Sequence, residues 1–113
     1  MKTVHRGEVW LVQLDPTRGR EQAGVRPALV LSVDGFNSSL AELVAVLPIT
    51  SKPRALRTRI EIRPTEAGLK VVSYVICEQV RTISTGRLVK MSGAVTAETM
   101  TAVEGVVRVL LGL

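Results

Sequence analysis

The sequence is poor in the residues on which many enzyme sites depend. It has one histidine, one cysteine and three aromatic residues among 113 residues. A single histidine excludes a two-histidine ribonuclease site within one subunit, and His5 with Cys77 falls short of the about four ligands that hold a structural zinc ion. One cysteine cannot form an internal disulfide, which is typical of a protein from a reducing compartment. We therefore expect a cytoplasmic protein that needs no metal and no cofactor.

Several familiar motifs and segments are also missing. The sequence contains no phosphate loop ending in Gly-Lys-Ser/Thr, no Gly-x-Gly-x-x-Gly and no Gly-x-Ser-x-Gly. No apolar run approaches the about 20 residues of a membrane-spanning helix. Residues 1–10 carry His5, Arg6 and Glu8 in place of the apolar core of a signal peptide. We expect neither a membrane partner nor a secretory leader.

The charge and the apolar content indicate a basic globular domain. Fifteen Lys and Arg residues stand against ten Asp and Glu residues, which gives a net charge of +5. The pI near 10.1 favours anionic partners such as nucleic acid. Hydrophobic residues make up 46% of the chain and aromatics only 3%, so Val, Leu and Ile must build the core. The length suits one domain that spans residues 1–113.

Most of the chain has the pattern of short strands separated by turns. Residues 57–63 alternate strictly, because Thr58, Ile60 and Ile62 share one face and charged residues occupy the other. Pro48 interrupts another apolar run, since a proline cannot donate to a strand ladder. The run at 71–83 indicates two strands, or one strongly bent strand around Cys77 and Glu78. The predicted strands are residues 8–14, 27–33, 43–47, 57–63 and 71–83.

The C-terminal segment has a helical pattern. Thr96 is a suitable N-cap, Glu98 lies in the first turn, and Gly112 is a suitable stop. Met100, Val103, Val107, Leu110 and Leu111 recur at helical spacing. Short strands followed by one helix predict a mainly β fold: a small, strongly bent β-barrel with a C-terminal α-helix.

Two basic segments are candidates for contact with a phosphate backbone. Both are polar and follow predicted strands, and the second contains no acidic residue. Together they could form a patch with salt-dependent affinity for nucleic acid. The alternative is that each is an ordinary solvated loop. The basic residues are Arg18, Arg20 and Arg26 in residues 16–26, and Lys52, Arg54, Arg57 and Arg59 in residues 52–59.

Four collinear stretches carry a resemblance to a known family. They are residues 6–10 (RGEVW), 14–32 (LDPTRGREQAGVRPALVLS), 48–51 (PITS) and 77–83 (CEQVRTI). The sequence resembles the MazF/PemK toxins, which are sequence-specific endoribonucleases of bacterial type II toxin–antitoxin modules. The resemblance implies an SH3-like barrel (MazF/CcdB-like) with a C-terminal helix, acting as a homodimer. It also implies metal-independent cleavage of single-stranded RNA, and inhibition by a cognate antitoxin that we expect to be acidic and partly disordered.

The resemblance also implies the catalytic residues. The arginine of the family falls on Arg26, its threonine on Thr50 and its acidic loop residue on Glu21. In RNA the 2′-hydroxyl can attack the adjacent phosphate, and an arginine fork can bind the negative charge that develops on the phosphate oxygens. A threonine hydroxyl can donate to the same phosphate, and Glu21 could accept the proton of the 2′-hydroxyl. Arg20 departs from the small polar residue that is common in relatives.

Further residues are candidates for binding RNA. Phe36 could stack on a base, because it lies in the polar loop 34–39. Glu78, Gln79 and Arg81 could contact base edges or phosphates, or could instead form buried hydrogen bonds. The full set is Arg18, Arg20, Gln22, Phe36, Ser51, Lys52, Arg54, Glu78, Gln79 and Arg81.

Two other functions remain open from the sequence. A toxin with the same fold could inhibit DNA gyrase by binding it, because fold alone does not decide function. The loop Glu-Gln-x-Gly-x-Arg-Pro and Thr50 favour the nuclease. A non-catalytic RNA-binding barrel is the second alternative, although it would be expected to carry more stacking aromatics than three.

Overall fold

The structure is a computed structural model that describes residues 2–14, 19 and 24–113. Its described part contains seven β-strands and two α-helices, with single 3-10 turns at Glu66–Gly68, Cys77–Gln79 and Thr85–Arg87. The strands are β1 (Glu8–Gln13), β2 (Val25–Val30), β3 (Leu43–Thr50), β4 (Arg59–Ile62), β5 (Ser73–Ile76), β6 (Arg81–Ser84) and β7 (Leu88–Ala94), and the helices are α1 (Asp34–Asn37) and α2 (Ala97–Leu111).

All strand pairs in the described part of the chain are antiparallel, and β3 has three partners: β2, β5 and β6. The order in the sheet is β4-β5-β3-β2-β1-β7, and β6 pairs with β3 beside this path. Along one edge of β3 the partner is β2. Along the other edge, residues 43–46 pair with β6, whereas Ile49 and Thr50 pair with β5. The central strand therefore joins two sheets that diverge at its C-terminal half.

The prediction that Pro48 interrupts the third strand was wrong, because β3 continues to Thr50. Pro48 is opposite Ala28 of β2, and it lies just where the other edge of β3 changes partner from β6 to β5. A missing N–H costs no ladder hydrogen bond at such a position. The proline thus marks the divergence of the sheets within a continuous strand.

The mainly β fold with a C-terminal helix is confirmed. The expected bend within residues 71–83 is also confirmed, because β5 and β6 are separated by the turn Cys77–Gln79. Among the described strands, no pairing joins β4 to β7, so the sheet is not closed. The sequence pattern missed β7, of which only Leu88 is buried, and the single-turn helix α1.

Two apolar cores lie on opposite faces of the sheet, because side chains alternate along each strand. On β2, Ala28 and Val30 belong to one core while Leu29 belongs to the other. We call them the front core and the helix-side core. The front core comprises Val4, Trp10, Val12, Leu14, Ala28, Val30, Val44, Val46, Ile83 and Leu88; the helix-side core comprises Val9, Leu29, Leu47, Ile49, Ile62, Ala67, Val75, Cys77, Val103 and Val107.

Helix α2 begins and ends as the sequence predicts. The Thr96 hydroxyl accepts the backbone N–H of Thr99 at 3.1 Å, and Gly112 ends the helix with a φ of 70°. Val103 and Val107 are buried in the helix-side core and Met100 packs partly buried against it, whereas Leu110 and Leu111 are exposed. Three of the five residues of the predicted apolar stripe therefore pack on the sheet. No described helix is long and apolar enough to cross a membrane.

Candidate active site

The fold brings Arg26 and Thr50 to the same end and the same face of the sheet. The last paired residues of β2 and β3 at this end are Ala28 and Pro48. Arg26 lies two residues before Ala28 and Thr50 two residues after Pro48, so both side chains project to the face of the front core. Strands β2 and β3 are antiparallel, and the start of one therefore lies beside the end of the other.

Thr50 is held tightly in place. It pairs with Tyr74 of β5 and is only 4% exposed. Its Oγ1 accepts the backbone N–H of Lys52 at 3.1 Å. Because the oxygen acts as acceptor in this bond, its own hydrogen can donate to a substrate. Tyr74 is the cross-strand neighbour of Thr50 on this face. The sequence did not indicate that Tyr74 lies at the site, because strand pairing joins residues that are distant in the chain.

Arg26 is exposed, and its backbone is well fixed. It pairs with Val12 of β1, and the following Pro27 pairs with Leu11. A residue before proline is restricted to extended conformations, which suits a strand position. The strand thus sets the direction of an exposed guanidinium at the end of the sheet.

Four predicted site residues lie outside the described residues. They are Glu21, for which a catalytic role is predicted, and Arg18, Arg20 and Gln22, for which RNA contacts are predicted. The chain that carries them leads directly into β2 and Arg26. Their roles stay predictions.

The segment 51–58, which we call the basic loop, extends from the Thr50 end of β3. Residues 51–57 are exposed, and they include Ser51, Lys52, Arg54 and Arg57. These residues directly follow Thr50 in the chain, at the end of β3. Arg59 differs from the others, because its side chain is only 7% exposed and pairs with Glu78.

Glu78 lies in the turn after β5 and accepts hydrogen bonds on both carboxylate oxygens. Its Oε1 accepts a hydrogen bond from the Thr58 hydroxyl at 2.7 Å, and its Oε2 accepts one from Nε–H of Arg59 at 2.9 Å. The same Oε2 lies 2.8 Å from Nη2 of Arg59 in an ion pair. Burial opposes ionisation of Glu78, yet the hydrogen bonds from Arg59 and Thr58 outweigh it and keep its pKa below the ordinary value. The carboxylate is therefore ionised and internally bonded at neutral pH.

Gln79 and Arg81 are both half-buried near Glu78. Arg81 is opposite Val46 on β3, so its side chain shares the face of Thr50. Its Nη1 is buried without a hydrogen-bond partner in the part of the chain that the structure describes. An acceptor such as a phosphate oxygen or a base carbonyl would satisfy this donor. The roles of both residues in RNA binding stay predictions.

Phe36 lies far from this end of the sheet. It is 38% exposed on α1, which follows β2 and precedes β3. Strand β3 has eight residues, so at about 3.3 Å per residue its first residue, Leu43, lies roughly 23 Å from Thr50, and α1 precedes Leu43 in the chain. The fold does not bring Phe36 to the other candidate residues within one subunit, and its contact with a base stays a prediction.

The single histidine lies at the same distant end. His5 Nδ1 is 2.9 Å from Asp34 Oδ2, and this hydrogen bond raises the pKa of His5. Both residues border a cavity of about 560 Å³. Within the described ranges, no three His, Cys, Asp or Glu side chains are grouped so that they could hold a metal ion.

Cys77 should be chemically inert in the folded protein. Burial, reinforced by the charge of Glu78, raises the pKa of its thiol to about 11. Because alkylation requires the thiolate, we expect iodoacetamide at pH 8 to label native Cys77 at least about a hundredfold more slowly than in denaturant. Mass spectrometry of timed samples measures both rates. Equal rates would contradict the burial of this thiol.

Comparison with known sequences gives matches over nearly the whole chain. A family model described as "PemK-like, MazF-like toxin of type II toxin-antitoxin system" matches residues 5–111. The sequence is 34% identical to "Endoribonuclease MazF9" of Mycobacterium tuberculosis, covering 97% of this chain and 98% of that protein. It is also 34% identical to "Endoribonuclease EndoA" of Bacillus subtilis, covering 97% and 96%.

Solved structures show the same fold. MazF from Deinococcus radiodurans matches with a TM-score of 0.86 at 25% identity, covering 100% of both chains. A MazE-MazF structure from the same organism matches with a TM-score of 0.82 at 25% identity, covering 100% of this chain and 99% of the other. The likeness therefore extends over the strands that carry Arg26 and Thr50.

Proposed function

Because this chain belongs to the PemK-like, MazF-like toxins of type II toxin–antitoxin systems, we propose that it is a sequence-specific endoribonuclease that cleaves single-stranded RNA. The observation that carries this proposal is the placement of Arg26 and Thr50 at one end and on one face of the sheet. The relatives named endoribonucleases favour RNA cleavage over gyrase inhibition and over RNA binding without catalysis.

The reaction needs no metal when RNA supplies its own nucleophile. The 2′-oxygen forms a bond to phosphorus while the bond to the 5′-oxygen breaks, which leaves a 2′,3′-cyclic phosphate and a 5′-hydroxyl. The 2′-hydroxyl proton passes to a base, and the departing 5′-oxygen takes up a proton. Arg26 and Thr50 stabilise the charge that develops on the non-bridging oxygens, at about 3 kcal/mol for each positioned donor.

Arg26 is not suited to be the general base, because a guanidinium has only N–H donors and no acceptor for a proton. Glu21 is the proposed proton acceptor, since it is the acidic residue within residues 16–26. Arg18, Arg20 and Arg26 are close to it in sequence, and their positive charges would keep its carboxylate ionised but only weakly basic. Gln22 and the two loop arginines are proposed to contact the RNA.

The proposed biological unit is a cytoplasmic homodimer of a single domain (residues 1–113), inhibited by a cognate antitoxin. A structural relative from Deinococcus radiodurans is described as MazE-MazF, which supports a protein partner. An acidic, partly disordered antitoxin segment would be attracted to the exposed Lys52, Arg54 and Arg57 of the basic loop, and bound there would exclude RNA.

An RNA with one 2′-deoxy sugar tests the chemistry. The cut site is first mapped by sequencing the 5′ ends of cleaved transcripts, and the sugar on its 5′ side is then replaced. We expect the substituted RNA to resist cleavage because the nucleophile is gone, while the same change one nucleotide away is tolerated. We also expect cleavage of unmodified RNA to persist in excess EDTA. Efficient cutting of the substituted RNA would rule out attack by the 2′-hydroxyl.

A further inference from the structure

Both ends of the basic loop are attached to strand β5. At its start, Thr50 pairs with Tyr74, and at its end, Arg59 pairs with Ile76. Strands β3 and β4 flank β5, so the loop crosses over one strand and spans about 10 Å between its ends. Residues 51–57 are exposed along this crossing. The position of Lys52 and Arg54 therefore depends on how firmly the two ends are held.

The far end of the basic loop is fixed by one small group of side chains. We call Glu78, Arg59 and Thr58 the Glu78 clamp. The carboxylate makes three contacts with the other two side chains: hydrogen bonds from Thr58 at 2.7 Å and from Arg59 Nε at 2.9 Å, and an ion pair with Arg59 Nη2 at 2.8 Å. The backbone adds a fourth link, because the Cys77 N–H donates to the Thr58 carbonyl at 3.2 Å. The turn Cys77–Gln79 and the loop end thus form one unit.

The burial of this group indicates an internal role. The side chains of Arg59 and Glu78 are only 7% and 25% exposed. A buried guanidinium needs a charged partner, since an unpaired buried charge is strongly unfavourable. Both carboxylate oxygens of Glu78 already accept hydrogen bonds within the protein, from Thr58 and Arg59. Anionic phosphates would also be repelled by this carboxylate.

We propose that Glu78 is a positioning residue, which acts by holding the basic loop beside Arg26 and Thr50 without contacting RNA. The inference rests on the proposed nuclease function and refines it. Without the clamp, Lys52 and Arg54 would sample many positions, and RNA would have to order the loop on binding. The clamp therefore affects substrate binding, whereas Arg26 and Thr50 carry the chemical step.

The variant Glu78→Gln tests the proposal in the full-length protein. We expect KM for an RNA substrate to rise by about tenfold and kcat to change by less than about threefold, because the loop contacts the RNA chain and not the reacting atoms. We also expect faster hydrogen exchange at the amides of Cys77 and Arg59 without RNA. The matched control is Glu61→Gln, which alters an exposed carboxylate whose partner Arg63 is 83% exposed.

A double variant separates positioning from direct contact. Arg59→Met with Glu78→Met replaces the ion pair by apolar side chains of similar length, which can pack in the same space. Recovery of KM and of amide protection supports positioning, since no charge remains to contact RNA. A fall in kcat or a changed cleavage motif in Glu78→Gln, with unchanged amide exchange, would overturn the inference. Absence of cleavage by the wild type would instead overturn the proposed function itself.

Discussion

Replacing Arg26 with alanine should lower kcat for RNA cleavage by about 10²–10³-fold, which is the usual effect of removing one positioned donor to a developing oxyanion. The guanidinium is exposed at the start of β2, so its removal leaves no cavity in either core. The backbone pairing with Val12 persists in alanine. RNA affinity should fall much less, because the basic loop supplies further phosphate contacts.

Single-turnover cleavage measures the loss of catalytic rate, and titration of the same protein samples with RNA measures the loss of affinity. Arg26→Lys retains the charge but loses the bidentate fork, so we expect an intermediate rate. The control is Arg108→Ala, which removes an exposed arginine from α2 behind the opposite face of the sheet. Wild-type kcat in Arg26→Ala would refute the assignment of the active site. So would an equal loss of kcat in Arg108→Ala.

The two central residues could be found from the sequence because each stands in a recognisable stretch. Arg26 ends the loop before Pro27, and Thr50 follows Pro48 and Ile49. Their proximity could not be read from the sequence, since it follows from the register between β2 and β3. Cross-strand pairing joins residues that are far apart in the chain, and local patterns do not contain it.

Glu78 shows where residue type alone is insufficient. A polar residue beside Gln79 and Arg81 is compatible with base recognition or with internal hydrogen bonding. The deciding fact is that Arg59, nineteen residues earlier in the chain, is buried against it in the fold. The alternation of residues 57–63 placed Arg59 on the charged face, but it did not show that a neighbouring turn would cover that position.

The fold was predictable where a pattern was strong. Thr96 and Gly112 bound α2 as local capping chemistry requires. Strand β7 was missed because it packs mainly by one buried residue, Leu88, and otherwise adds to the sheet through backbone pairing with β1. A strand that is held by backbone pairing with its neighbour needs few apolar side chains, so its sequence has little hydrophobic periodicity.

The close contact between the turn Glu66–Gly68 and β7 gives the largest expected effect on stability. A Cβ at position 68 would overlap the carbonyl oxygen of Ser92 and lie 3.1 Å from its carbonyl carbon. Gly68 also has a φ of +74°, which side chains rarely adopt. Neither the overlap with Ser92 nor the strained φ can be relieved by rotating a side chain, because both involve backbone atoms. We expect Gly68→Ala to lower the free energy of unfolding by about 2–4 kcal/mol.

Gly105→Ala is the matched control, because the same methyl group meets nothing within 4 Å there. Gly105 lies inside α2, where alanine is the better helix former, so this variant should gain roughly 0.5–1 kcal/mol. Urea unfolding of both variants beside the wild type measures the opposite shifts. If Gly68→Ala unfolds at the wild-type urea midpoint, the turn does not pack on β7 as described. Strand β7 pairs with β1, and β1 pairs with the strand that carries Arg26. We therefore expect the loss of RNA cleavage in Gly68→Ala to follow the fraction of unfolded protein. Cleavage should recover when cooling refolds the variant.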